Sequence, residues 1–128
     1  MYLSKHIIYK TIFKQDGDIE TVEYKAKGVL HVGQKNQLSF AIPEHVIDII
    51  YDDQHITLKH DQSLLKLHKD KEIWSEYQLP YGSVLLKTKV LLFKATDEQL
   101  KLKYELHDQN GLISTAYILI TMIPLIEE

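Results

Sequence analysis

Cysteine is absent from the 128 residues, and so is arginine, because all fifteen basic side chains are lysine. Without cysteine there are no disulfides, no thiol nucleophile and no thiolate zinc site, a composition that suits a reducing compartment. Without arginine no planar fork is available for phosphates or base edges, and a net charge of -3 with a pI near 6.1 disfavours any polyanion partner. Nucleic-acid binding is not expected. Long apolar runs are lacking too. The longest, Ile118 to Ile126, carries Thr121 and Pro124 and falls far short of a membrane span. Lysines scattered through the first fourteen residues leave no uninterrupted apolar block, so no signal peptide is expected. The five glycines stand apart from one another, which rules out a glycine-rich phosphate loop. The expectation is a cytoplasmic globular protein with one domain over residues 1–128, no membrane or nucleic-acid partner and no cofactor. Its 45% hydrophobic content suffices for one substantial core.

What the chain does have is alternation. Nearly every apolar run has period two and is rich in Ile, Leu, Val, Tyr and Thr, the residues that fit a pleated surface. Leu100, Leu102, Tyr104 and Leu106 interleave with Lys101, Lys103, Glu105 and His107, apolar in and polar out. Asp16-Gly17 predicts a two-residue hairpin that pairs Gln15 with Asp18, hence Lys10 with Glu23, Tyr9 with Tyr24, Ile7 with Ala26 and Thr11 with Val22. Asn110-Gly111 predicts a second, pairing Gln109 with Leu112, Leu106 with Thr115, Tyr104 with Tyr117 and Leu102 with Leu119. Turn residues punctuate the intervening chain at regular intervals, and no segment offers ten residues of helical period. Gly28 interrupts a long strand and reads as a bulge or sharp bend. Long strands joined by short turns suit closure, which removes exposed edges. The predicted fold is all-β: a single closed or nearly closed antiparallel up-and-down barrel of eight to ten strands.

The string from Tyr77 to Thr88, with its Pro80-Tyr81-Gly82 entry into a strand, together with Leu102 to Leu106 and the Asn110-Gly111 hairpin, resembles a known family. It is similar to the YwiB-like small bacterial β-barrel proteins of unknown function, related in shape to the calycins and lipocalins. The likeness runs over nearly the whole chain. It departs at Phe40 to Glu44, where the family often has an acidic segment, and at His60-Asp61-Gln62, where the family turn has the pattern Arg-x-Gly. A ligand held through either segment would be held differently here. The resemblance implies a calycin-like intracellular barrel and carries over no catalytic residue.

Chemistry is thinly signalled. None of the seven histidines forms a His-x-His pair on a strand, and the pairs His55 with His60 and His31 with His45 are assigned to opposite faces or separate strands, so no metal site is expected. His60 shares a face with Ile56 and Leu58 and is placed at the barrel mouth. Ser63 faces His60 across a tight turn, but no oxyanion donor or nucleophile elbow accompanies them, and the reading is non-enzymatic. The sharper feature is phenolic. The predicted registers turn Tyr9, Tyr24, Tyr104 and Tyr117 inward, with Thr11, Thr88, Thr115 and Thr121 adding hydroxyls. Buried phenols need partners. Either they satisfy one another and close the core, or they leave a cavity that water or an amphipathic ligand fills. Candidate ligand contacts are therefore Tyr9, Tyr24, Tyr104, Tyr117, Thr88 and His60, for a small apolar or amphipathic ligand. The same registers place Leu85, Leu91, Phe93, Ile118, Ile120 and Met122 together outside among lysines. That surface would suit a partner, a second copy of the chain as homodimer, or cover by Trp74 or residues 124–126.

Overall fold

A computed structural model describes residues 1–125, apart from the side chains of Gln78 and Leu79. The alternating runs form ten strands: β1 (Tyr2–Gln15), β2 (Asp18–His31), β3 (Asn36–Ile42), β4 (His45–Tyr51), β5 (His55–His60), β6 (Ser63–His68), β7 (Ile73–Leu79), β8 (Gly82–Ala95), β9 (Gln99–Asp108) and β10 (Gly111–Pro124). They make one antiparallel sheet in the order β6-β5-β4-β3-β2-β1-β10-β9-β8-β7. Sequence neighbours are sheet neighbours throughout, and the first and last strands pair, as an up-and-down barrel requires. The free edges, β6 and β7, lie against each other without a ladder, so the barrel is nearly closed. A side chain bridges this seam. The buried Thr88 hydroxyl, on β8, donates to the Lys66 carbonyl of β6 at 2.8 Å.

The first hairpin has the predicted register at every pair, from Gln15 with Asp18 through Tyr9 with Tyr24 to Ile7 with Ala26. Asp16 and Gly17 both take positive φ, at 52° and 83°, the geometry that matches the right-handed twist of the flanking strands. Gly28 is not a bulge, because the β1–β2 ladder runs through its pairing with Lys5 unbroken. It is instead a point of close approach. A Cβ there would stand 2.8 Å from the Ser39 carbonyl oxygen and 2.9 Å from Ile7 Cγ1, so the missing side chain lets β3 join β2 over the core.

The closing hairpin differs from its predicted register. Only Gly111 has positive φ, at 125°, and the Asp108 carboxylate accepts the Asn110 N–H at 2.7 Å, which moves the turn one residue back onto Gln109-Asn110. A register shift between Leu112 and Ser114 then leaves Tyr104 opposite Ala116 and Leu102 opposite Ile118. Because side chains alternate, a slip of one residue exchanges the two faces of a strand. Ser114, Ala116, Ile118, Ile120 and Met122 point inward, and Thr115, Tyr117, Leu119 and Thr121 form the alternate, outer row. A second shift, between Val90 and Leu92 on β8, turns Phe93 into the core against Tyr51, with ring centres 6.1 Å apart.

The core runs around the barrel through Ile7, Leu30, Leu38, Phe40, Ile49, Ile56, Leu67, Leu100, Leu102 and Ile120. Each fully buried aliphatic side chain contributes about 1.5–3 kcal/mol of transfer free energy. No helix among the described residues is long and apolar enough to cross a membrane.

Candidate functional site

β1, β7 and β9 each carry one inward tyrosine toward the same end of the barrel. Tyr9, Tyr77 and Tyr104 border a cavity of about 140 Å³, whose remaining apolar lining is aliphatic: Ile47, Ile49, Leu58, Leu65 and Ile118. Lys59, His60 and Ser63, at the β5–β6 turn, form its polar rim. Tyr9 also packs on Phe40, with ring centres 5.2 Å apart, which anchors it to the core. The Tyr9 hydroxyl meets that of Thr11, and among the described residues no regular hydrogen bond from a protein group reaches the hydroxyl of Tyr77 or Tyr104. Burial raises the pKa of the Tyr104 phenol, and the neighbouring Tyr9 and Tyr77 phenols raise it further. Burial likewise raises Tyr9, opposed by the adjacent Thr11 hydroxyl and reinforced by Tyr24. The Tyr9 and Tyr104 phenols therefore remain neutral donors at physiological pH. Thr11 Oγ1, beside them, is buried with no hydrogen-bond partner of regular geometry.

Of the six residues expected to contact a ligand, Tyr9, Tyr104 and His60 border this cavity. Tyr24 is the cross-strand neighbour of Tyr9 without reaching the lining. Thr88 is buried, but its hydroxyl is engaged at the barrel seam. Tyr117 is on the wrong face for the predicted role. The register slip turns it outward, beside Ile12, Lys103 and Glu105. The expected outer apolar surface is corrected for the same reason. Ile118, Ile120 and Met122 are core residues, 6%, 1% and 1% exposed, and the β8 shift takes Phe93 inside with them. Leu85 and Leu91, each 45% exposed, stay outside. Trp74 is half exposed and Ile126 lies outside the described residues.

Two groups escaped the sequence reading. Tyr77 enters the cavity because the Pro80-Tyr81 turn pairs it with the inward Val84; that turn could have shown its face. His45 is the second. Odd residues of β4 and even residues of β5 point inward, with Ile47 opposite His60, so His45 and His60 share a face at the same mouth. Their rings meet edge to face with centres 4.5 Å apart. Asp61, with φ of 56°, turns its carboxylate back so that Oδ1 accepts the Val46 N–H at 2.9 Å and Oδ2 lies 2.7 Å from His45 Nδ1. These contacts, Val46 first and His45 second, hold the Asp61 carboxyl below its ordinary pKa. The sequence reading weighed His55 with His60 and His31 with His45 and did not pair His45 with His60. Ser63 faces His60 across the turn, but no hydrogen bond joins its hydroxyl to either histidine.

A nearly closed antiparallel barrel with a phenol-bordered cavity at one mouth defines the class: a small all-β barrel protein with an internal pocket. The chain belongs to the family described as domain of unknown function DUF1934, whose model matches residues 7–120. Among solved structures it is similar to the YwiB protein from Bacillus subtilis, with a TM-score of 0.72 at 16% identity, over 94% of this chain and 92% of that one. That likeness establishes the fold. No curated protein matches the chain.

Proposed function

We propose that this protein is a calycin-like, non-enzymatic binder that takes a small amphipathic molecule into the mouth of its barrel. The observation that carries the reading is the cavity's mixed chemistry. Three phenols and five aliphatic side chains line it together. A buried polar group is satisfied by protein, water or ligand, and a site of this kind rewards a molecule with one hydrogen-bonding edge and an apolar body. Size narrows the class. A cavity of about 150 Å³ accommodates benzene, so the 140 Å³ here suits a single ring or a short branched chain.

Titration of the protein with phenol, followed by NMR, tests this. Shifts should cluster on the resonances of Tyr9, Tyr77, Tyr104 and Leu58, and Leu58→Trp, which fills the space, should abolish them while the fold persists. Shifts scattered over the surface, or unchanged in Leu58→Trp, would refute it. Native mass spectrometry of the purified protein would report any retained molecule directly.

A further inference from the structure

The rim of the cavity carries a second chemistry that does not depend on the phenols. His45 begins β4, His60 ends β5, and Asp61 begins the turn that follows. They supply two imidazole nitrogens and one carboxylate oxygen, all within 4.8 Å of one another. From these donors we propose that His45, His60 and Asp61 bind a divalent first-row transition metal ion at the barrel mouth.

The backbone prepares this arrangement. The Asp61 N–H donates to the Val46 carbonyl at 2.9 Å and its carboxylate accepts the Val46 N–H at 2.9 Å, so both main chain and side chain of Asp61 are tied to the residue after His45. The left-handed backbone at Asp61, φ 56°, is what turns the carboxylate toward the two rings. Two histidines beside one carboxylate are poorly matched as a simple ion pair. A divalent metal ion accepts two imidazole nitrogens and a carboxylate oxygen together.

The donor set selects the ion. Imidazole suits zinc, cobalt, nickel and copper, while calcium and magnesium require all-oxygen shells that these residues do not provide. Three protein ligands leave at least one coordination position open, the arrangement of metal sites that bind an exchangeable group rather than brace a fold. All three residues are solvent-exposed, and His60 also borders the cavity, so an open position lies next to the pocket.

The test uses the full chain, freed of metal with a chelator, then titrated with Zn²⁺ by calorimetry and with Co²⁺ by visible absorption. One equivalent should bind. His45→Ala, His60→Ala and Asp61→Asn should each weaken binding at least about tenfold, since even outer-shell partners of a metal site are worth about 10- to 100-fold. Asparagine tolerates the left-handed backbone and keeps an acceptor for Val46, so that variant preserves the turn while removing the charge. Circular dichroism of each variant reports its fold. His55 and His68, whose rings meet 4.9 Å apart on the β5–β6 ladder, are the internal control, and His55→Ala and His68→Ala should leave affinity unchanged. The proposal is overturned if zinc affinity survives the three rim substitutions, if it follows His55 and His68 instead, if Mg²⁺ competes on equal terms, or if no stoichiometric binding is seen.

Discussion

Adding one methyl group at Gly28 should destabilise this barrel where the same change elsewhere is harmless. Gly28 has no positive φ, so the backbone alone would accept alanine, and shortening the menu of unfolded conformations would then stabilise by about 0.4–1 kcal/mol. Space forbids it. The added Cβ would meet the Ser39 carbonyl oxygen at 2.8 Å, Ile7 Cγ1 at 2.9 Å and Phe40 Cβ at 3.1 Å. Ser39 belongs to β3, which pairs with β2 on one side and β4 on the other, so its carbonyl yields only if two ladders shift. Ile7 and Phe40 are both core residues. Overpacking of a tight core costs about 1–3 kcal/mol, and a backbone atom among the obstacles puts Gly28→Ala at the upper end, about 2–3 kcal/mol after the entropic gain. For a domain of this size that is a fall in Tm of about 6–15 °C. Urea unfolding followed by far-ultraviolet circular dichroism should show a lower midpoint with an unchanged slope. Gly33→Ala is the matched control, because its nearest atoms stand at 3.5 and 3.6 Å, ordinary contacts, and it should be neutral or slightly stabilising. A Gly28→Ala protein as stable as the parent would refute the close-approach account of how β3 joins β2.

Thr88→Val keeps the shape but removes the hydroxyl that reaches Lys66 across the seam, at a cost of about 1–2 kcal/mol; hydrogen exchange should accelerate in β6 and β7 rather than in β1 or β10. Thr11→Val removes a buried hydroxyl that has no regular partner, so thermal unfolding should show stability unchanged or raised by up to about 1 kcal/mol, and a clear loss would reveal a hydrogen bond in use. Asp52 accepts the N–H groups of Gln54 and His55, and these hold its pKa down from 3.8 to about 2. A depressed carboxylate stabilises the fold above its unfolded pKa and ceases to do so as pH falls through the folded value. The difference in Tm between parent and Asp52→Ala should therefore be constant above about pH 4.5 and shrink toward zero by about pH 2, a window that acid titration of both proteins checks.

The two hairpins show where sequence suffices and where it stops. At the first, Lys10 and Glu23 on one face and Ile7 and Ala26 on the other agree with the turn chemistry, so pattern and turn select one register. β9 is equally legible, since its leucines and Tyr104 alternate with charge and all lie inside. On β10 the pattern is silent. From Tyr117 to Ile120 both rows are apolar, so either row could face the core, and the prediction rested on the turn alone. The Asp108 carboxylate and the irregularity after Leu112 then decided the face. Size carried a signal that alternation did not. Ser114 and Ala116 are the small residues of the strand, and they stand opposite Leu106 and Tyr104, where a barrel interior needs small against large. The histidine pair was illegible for another reason. It depends on the product of two registers, β4 on β5 and β5 on β6, together with a carboxylate that a left-handed turn folds back.

That single slip also determines what the mouth of the barrel can bind. Had the predicted register held, Tyr117 would point inward opposite Tyr104, and Ile118 would lie outside. Phenols would then face phenols, and the natural outcome is mutual hydrogen bonding with little room or need for anything else. With Ala116 opposite Tyr104 and Ile118 on the cavity wall, Tyr9, Tyr77 and Tyr104 share the cavity with hydrocarbon. Hydrocarbon offers a hydroxyl no hydrogen bond, so water or a ligand in the cavity is a better partner. The same exchange that removes the apolar surplus from the outer face of β10 therefore sets phenol hydroxyls beside hydrocarbon within, and moves the place to look for function from the wall of the barrel to its mouth.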